Sequence, residues 1–162
     1  MLTAASMLVA LTVILSFMTV YITQSARITF AFVPMAVGGM LFGPVVSGII
    51  GALSDIIGYI IKPAGPYMPL FTLNAMLTGL IYGIFLFKKT PTLKNIVTAQ
   101  VLITFLVDVF LNSCWLVLLY GQGFAAILPL RILKCALFFP VQVLILYLIA
   151  KYVPVMNRKF YS

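Results

Sequence analysis

Long runs without a charged residue are the feature that most constrains the fold of this 162-residue chain. Residues 1–26, 63–87 and 109–130 contain no Asp, Glu, Lys or Arg. A transmembrane helix needs about 20 consecutive apolar residues, whereas a transmembrane strand alternates apolar and polar side chains over about 10. Because these runs show no such alternation and only 7% of residues are charged, the sequence predicts an all-α integral membrane protein. No polar linker divides the chain, so residues 1–162 are predicted to form a single membrane domain.

Charged residues and Gly/Pro turns divide the chain into six predicted transmembrane helices. Their spans are 3–25, 32–43, 44–62, 70–88, 95–120 and 124–151. The second is short for a membrane crossing, but the "GGMLFGP" turn at 38–44 separates it from the third, and Pro44 suits a helix start. Residues 88–94 and 151–159 hold six of the ten basic residues, and the two spans between them place both on one side. The positive-inside rule assigns that side, with both termini, to the cytoplasm.

The composition also excludes several classes of function. Basic residues that flank the spans account for the net charge of +8, so a nucleic-acid partner is not expected. Cys114 and Cys135 both fall inside predicted spans and the chain has no His, so we expect free thiols and no metal site. The sequence has no Glu and no GxxxxGK(S/T) phosphate-binding loop. We therefore expect neither an enzymatic activity nor a cofactor.

A polar face on the fifth predicted helix is the main candidate for a functional site. Asp108, Asn112 and Trp115 are spaced i, i+4 and i+7, so they share one face of a helix. The sixth helix follows a short turn and runs back antiparallel, which brings Arg131 and Lys134 to the same outer half of the membrane. Ionisable side chains inside a span cost about 2.5–3.5 kcal/mol each and therefore point to a function.

Two interpretations of this face remain open. In the first, Asp108 forms a structural ion pair with Arg131 or Lys134, and Trp115 is a residue of the membrane interface. In the second, the face lines a cavity that opens outward and accepts an anionic ligand carrying a flat polar ring.

Further residues on the predicted outer side favour the second interpretation. Arg27 and Lys62 close the first and third helices there, so four basic groups meet one acid and leave a surplus of three positive charges. Such a surplus attracts an anion and repels a cation. The segment 62–74 is either a stiff connector or a lid over the cavity, and it adds three candidates, Tyr67, Phe71 and Asn74.

Two other patterns are assigned mainly to packing. Asp55 lies inside the third helix without an obvious partner, and we expect it to accept hydrogen bonds from hydroxyl or backbone donors. Small residues at four-residue spacing let helices approach closely. The pairs are Ser6 and Ala10, Gly39 and Gly43, Ser47 and Gly51, and Gly79 and Gly83. Most are expected to pack within the chain, but the smooth face of the first helix is a candidate for docking a partner protein.

Three segments spread over residues 27–134 are "RITFAFVPMAVGGMLFGP", "GALSDIIGYIIKPAGPYMPLFTLNAMLTGLIYG" and "NSCWLVLLYG…LPLRILK". In combination they resemble the folate-specific substrate-binding subunit, or S-component, of energy-coupling-factor (ECF) vitamin transporters. The resemblance implies six helices in the bacterial plasma membrane and one vitamin bound near the outer face. It also implies a separate energy-coupling module of one transmembrane protein and two ATPases, and an S-component that topples in the membrane to release its substrate inside.

The resemblance supplies an occupant for the predicted cavity. Folate joins a flat pterin to a glutamate tail with two carboxylates, so the ring would meet Asp108, Asn112 and Trp115. The tail would meet the basic residues, Arg27, Lys62, Arg131 and Lys134. The alternative functions are an S-component for another anionic vitamin, such as biotin or pantothenate, and a structural or assembly protein of the membrane.

The resemblance also implies a docking motif in the first helix. The family carries an alanine-x-x-x-alanine pair there that contacts the transmembrane coupling protein. The corresponding residues are Ser6 and Ala10, so this chain departs from the motif at the first position. Serine is nearly as small as alanine, and we expect docking to survive the change.

Overall fold

The computed structural model describes residues 2–18, 20–23, 26–63, 67–88, 92–121 and 123–160. These residues form α-helices, one π-helical segment and one β-hairpin. The helices are α1 (Leu2–Phe17), α2 (Phe32–Phe42), α3 (Pro44–Ile61), α4 (Pro69–Leu86), α5 (Leu93–Leu102), α6 (Asn112–Tyr120) and α7 (Phe124–Phe160). The hairpin consists of β1 (Val20–Thr23) and β2 (Ala26–Ile28), and the π segment Ile103–Leu111 joins α5 to α6.

Four helical stretches of the described residues are long and apolar enough to cross a membrane. They are Pro44–Ile61, Pro69–Leu86, Leu93–Leu118 and Leu128–Tyr152. The apolar helices α1, with 16 residues, and α2, with 11, reach only ~24 Å and ~17 Å against a hydrocarbon core of ~30 Å. A helical integral membrane fold is thus confirmed. Six crossings, cytoplasmic termini and a single domain over 1–162 stay predictions.

The first predicted helix, 3–25, is wrong at its end. Helix α1 stops at Phe17, and β1 and β2 then pair antiparallel, with Val20 opposite Ile28 and Tyr21 opposite Arg27. The strand "VYIT" is rich in β-branched and aromatic residues, which favour strands, and pairing satisfies backbone groups that would be costly to leave unbonded in an apolar setting. Arg27, predicted to close a helix, therefore lies in a strand.

The fifth predicted helix, 95–120, is confirmed as one helical stretch, but its middle is not α-helical. Residues Ile103–Leu111 form a π-helix, in which main-chain bonds run from i to i+5. The N–H of Asn112, for example, bonds to the carbonyl of Val107. Asp108 lies inside this wider segment. The sixth predicted helix, 124–151, is extended in the structure, because α7 continues to Phe160.

Helices α2, α3 and α4 pack closely because glycines face their neighbours' backbones. A Cβ built on Gly79 would collide with the main chain of Ser47, and one on Gly83 would collide with Pro44. On α2, a Cβ at Gly39 would lie 2.8 Å from the backbone nitrogen of Gly83. The prediction that these small residues pack within the chain is confirmed.

A polar chain crosses the apolar core between α4, α5 and α7. The hydroxyl of Tyr82 donates to Oε1 of Gln100 over 2.8 Å, and Nε2 of Gln100 donates to Oε1 of Gln142 over 2.7 Å. Tyr82 and Gln100 are buried. Because lipid offers no hydrogen-bond partners, these two hydrogen bonds satisfy the buried polar groups within the bundle.

Candidate functional site

The indole of Trp115 is tied to α4 by a hydrogen bond. Its Nε1–H donates to Oδ1 of Asn74 over 3.2 Å, which joins α6 to α4 across the bundle. Asn74 is only 7% exposed, and its Nδ2 is buried without a hydrogen-bond partner among the described residues. Asn74 is one of the candidates predicted from the segment 62–74. In the structure it reaches α6 and still has an unused buried donor.

Arg131 joins α7 to the π segment. It is 7% exposed, and its Nη1 donates to the main-chain carbonyl of Asp108 over 2.8 Å. A carbonyl oxygen has two lone pairs, so it can accept a side-chain donor as well as a main-chain one. This contact confirms that α7 packs beside the fifth predicted helix. Lys134, three residues further along α7, is half-buried on the same face. An ion pair of the Asp108 carboxylate with either residue stays a prediction.

A second polar chain joins α3 to the start of α4. The hydroxyl of Thr72 donates to Oδ2 of Asp55 over 2.7 Å, and the Tyr67 hydroxyl lies 3.1 Å from that of Thr72. The ring of Tyr67 also packs against that of Tyr59, with centroids 5.0 Å apart. The prediction that Asp55 accepts a hydroxyl is therefore confirmed. Tyr67, just ahead of α4, is thus joined to α3 through Thr72 and Tyr59, and the role of the segment 62–74 as a lid stays a prediction.

The remaining candidates lie around these two networks. Asn112, the first residue of α6, and Phe71, in the first turn of α4, are both half-buried. Lys62 is exposed just beyond the last turn of α3. The backbone of Arg27 belongs to β2, and its side chain lies outside the described part of the chain. The structure thus brings Asn74 into contact with Trp115 and, separately, Arg131 into contact with Asp108.

The partner face predicted on the first helix is open in the structure. Ser6 and Ala10 are both exposed on α1, and the Ser6 hydroxyl donates to the Leu2 carbonyl over 2.9 Å, within its own helix. That bond turns the hydroxyl inward onto the backbone, so Ser6 presents a nearly apolar surface like that of alanine.

Sequence reasoning missed three polar residues near the site. Thr72 connects Asp55 to Tyr67, and its place within the segment 62–74 was the only signal for it. Thr104 and Ser113 are 9% and 0% exposed, and neither hydroxyl has a hydrogen-bond partner among the described residues. No sequence signal distinguishes these two from the many hydroxyls that pack within helices.

Taken together, these elements define a polytopic membrane protein with a polar site between α4, the π segment, α6 and α7. The chain belongs to the family of ECF transporter substrate-specific components, whose sequence profile matches residues 1–150. The resemblance noted from the sequence is therefore confirmed. Members of this family are substrate-binding parts of transporters and not enzymes, and the chain is a multi-pass protein of the bacterial plasma membrane.

Individual members of the family are also similar to the chain over most of its length. The chain is 40% identical over 125 residues to the folate transporter FolT of Clostridium novyi, covering 77% of this chain and 73% of that protein. It is 36% identical over 148 residues to the folate transporter FolT of Leuconostoc mesenteroides, covering 88% of this chain and 80% of that protein. A crystal structure of FolT bound with folic acid superposes with a TM-score of 0.88 at 38% identity, covering 93% of this chain and 92% of that one.

Proposed function

We propose that this chain is a folate-binding S-component, which captures folate at the outer face of the membrane for ATP-driven uptake by a separate energy-coupling module. The observation that carries the proposal is the similarity to FolT bound with folic acid, which extends over 93% of this chain. The two FolT relatives at 40% and 36% identity support the same substrate.

The described side chains suit the pterin ring of folate. The indole of Trp115, held by Asn74 over 3.2 Å, offers a flat aromatic face for stacking. The buried Nδ2 of Asn74 is a donor for a ring acceptor. Asp108 and Asn112 are assigned to the amino and amide groups on the ring's edge. A site with oriented polar groups around an apolar platform is typical of small-molecule binding.

The basic residues suit the glutamate tail. Arg131 and Lys134 lie on one face of α7, close to Asp108, and charge-assisted hydrogen bonds to carboxylates are the strong ones. Arg27 and Lys62 are assigned to the same role from their predicted position on the outer side. Tyr67 and Phe71 border the segment that would close over the ligand.

A direct test uses the single tryptophan of the chain. Folate added to the purified, folded protein should quench Trp115 emission in a saturable way, with an inner-filter correction from free tryptophan and a parallel calorimetric titration. Biotin, pantothenate and thiamine should neither bind nor compete. An absence of folate binding in a demonstrably folded sample refutes the proposal. Binding of biotin or pantothenate instead identifies another vitamin, and binding of none favours a structural or assembly role.

The energy-coupling module is proposed to dock on the exposed face of α1. Ser6 and Ala10 give this face a smooth strip, flanked by the exposed apolar residues Met7 (75% exposed) and Ile14 (58%). A strip of small residues lets another transmembrane helix approach closely. The partners inferred from the family are one transmembrane coupling protein and two ATPases.

Substitution of Ala10 separates docking from binding. Ala10→Trp should abolish folate uptake into cells or proteoliposomes while the isolated subunit binds folate as the wild type does. Ile84→Trp is the matched control, because Ile84 is 56% exposed on α4 and lies outside the proposed docking face. Loss of both binding and uptake in the Ala10 variant would show that Ala10 packs inside the bundle, and normal uptake would refute docking at this strip.

A further inference from the structure

Most hydroxyls in the helices of this chain are satisfied by their own helix. Side chains of Ser and Thr in helices commonly donate to a carbonyl one turn earlier. Thr12 donates to Leu8 over 2.6 Å, and Ser54 donates to Ile50 over 2.6 Å. Thr78 and Thr98 make the same kind of bond. In these residues the hydroxyl hydrogen is already used within the helix.

Thr104 and Ser113 depart from this default. Both side chains are buried, and neither hydroxyl bonds to its own helix or to another described group. Thr104 lies in the π segment, and Ser113 is the second residue beyond its end. In a π-helix the main-chain bonds are shifted by one residue, so the usual i−4 acceptor is displaced.

The π segment also brings the two hydroxyls onto one face. In an uninterrupted α-helix, Thr104 and Ser113 would be about 2.5 turns apart and would point in opposite directions. Bonds from i to i+5 give each turn more than four residues, so the same separation approaches two whole turns. Thr104 and Ser113 therefore line up on the interior side, which explains why both are buried. Asn74 of α4 contacts the same helical stretch through its hydrogen bond with Trp115.

Three buried polar groups of α4 and the stretch Thr104–Ser113 thus lack a hydrogen-bond partner among the described residues, namely the Thr104 and Ser113 hydroxyls and Nδ2 of Asn74. Buried polar groups are nearly always hydrogen-bonded, and leaving one unbonded is unfavourable. We propose that Thr104 and Ser113, with Asn74, are ligand-binding residues that form hydrogen bonds with the polar edge of the pterin ring. The inference rests on the proposed folate binding and extends it to two residues that set specificity.

The chemistry of these groups matches a pterin edge. A hydroxyl both donates and accepts, and the Asn74 amide nitrogen donates. The pterin edge alternates ring nitrogens and a carbonyl oxygen, which accept, with an amino group and a ring N–H, which donate. A site whose buried groups are paired only by the correct ring rejects analogues that leave them unpaired. The tail carboxylates need strong positive partners and are not served by these residues.

The test compares hydroxyl-deleting variants with matched controls. Thr104→Val and Ser113→Ala are measured beside Thr12→Val and Ser54→Ala, whose hydroxyls are also buried but bond within their helices. Calorimetry gives the affinities for folate, for pteroate, which keeps the ring, and for p-aminobenzoylglutamate, which keeps only the tail side. Thermal unfolding of the ligand-free protein reports on packing, and Thr104→Ser, which keeps the hydroxyl, serves as the rescue.

Each hydroxyl deletion should weaken folate and pteroate by about 5- to 100-fold, the cost of leaving a buried polar group unpaired. In both deletions, affinity for p-aminobenzoylglutamate should stay near wild type. The folate affinities of both control variants and of Thr104→Ser should also stay near wild type. The midpoint of ligand-free unfolding should not fall, because each deletion removes a hydroxyl that is unpaired without ligand. If wild type binds folate and the two deletions bind it equally well, this inference is overturned while the proposed function stands. Unfolding midpoints that fall together with affinity also overturn it. Wild-type protein that binds no folate refutes the proposed function instead.

Discussion

The hydrogen bond between Trp115 and Asn74 allows the sharpest quantitative prediction about the site. Asn74→Leu keeps the branched shape of the side chain but removes the acceptor of the indole N–H, whose Nε1 lies 3.2 Å from Oδ1. A net hydrogen bond contributes about 0.5–1.5 kcal/mol, and a buried donor left unpaired costs about 1–3 kcal/mol. Since Asn74 is 7% exposed, water cannot readily replace the lost acceptor. We expect about 1–2 kcal/mol less stability in the ligand-free protein.

A double-mutant cycle isolates this bond from the other effects of each change. Trp115→Phe removes the N–H and keeps an aromatic ring, so Asn74→Leu in that background breaks no indole bond. The coupling free energy between the two substitutions should be about 1 kcal/mol in ligand-free unfolding. Folate affinity should fall in both single variants, by roughly tenfold per 1.4 kcal/mol of lost binding free energy. Calorimetry measures it, because the Trp115→Phe variants contain no tryptophan.

Simple additivity of the two substitutions in the free energy of unfolding would refute this prediction. Independent sites add within about 0.3–0.5 kcal/mol, so a smaller coupling in unfolding would show that the indole N–H gains nothing from Asn74. A coupling free energy of about 1 kcal/mol in unfolding, together with unchanged folate affinity in both single variants, would refute only the assignment to the binding site. The bond would then be structural, and neither side chain would belong to the binding site.

Two predictions concern the packing that supports the site. Gly83→Ala should sharply reduce the yield of folded protein and its unfolding temperature, because the added Cβ meets the backbone of Pro44. Gly123→Ala is the control and should have little effect, because no described atom lies within 4 Å of its added Cβ. Equal unfolding temperatures would refute the close approach of α3 and α4. Tyr82→Phe should lower the free energy of unfolding by about 1 kcal/mol through loss of the 2.8 Å bond to Gln100. Folate affinity should stay unchanged, and a large drop in it would show that the hydrogen bonds of Tyr82 belong to the binding site.

Residue type and spacing were sufficient for the coarse features of the site. The i, i+4, i+7 pattern of Asp108, Asn112 and Trp115 predicted a polar site on one helical stretch. The short turn before α7 predicted Arg131 as its neighbour, and the bond from Arg131 to the Asp108 carbonyl confirms that placement. Such inferences succeed because lipid leaves few places for a buried polar side chain. Asp55 is a further example, since an acid in a span must find a donor within the bundle, and Thr72 supplies it.

The hairpin shows where apolar runs mislead. Residues 20–23 are apolar enough to continue α1, and no charge marks the change to a strand before Arg27. Hydropathy measures burial in lipid and does not separate helix from strand, so only the local preference of "VYIT" for extended structure carried the signal. The error matters for the site, because it moves Arg27 from a helix end to a strand paired through Tyr21.

The π segment is the feature that no residue pattern disclosed, and it changes how the polar face must be interpreted. A switch from i+4 to i+5 bonding costs good helical geometry, so it persists only where tertiary contacts offset that cost, and such segments often occur at functional sites. Here Arg131 bonds to the main chain of Asp108 inside the segment. The hydroxyls of Thr104, near its start, and Ser113, two residues beyond its end, are buried without a hydrogen-bond partner in the described part of the chain. An α-helical interpretation directs attention to the Asp108 carboxylate alone. The observed geometry indicates that the wider turn itself exposes a carbonyl to Arg131 and turns two hydroxyls inward, so the backbone shapes the site as much as the acid does.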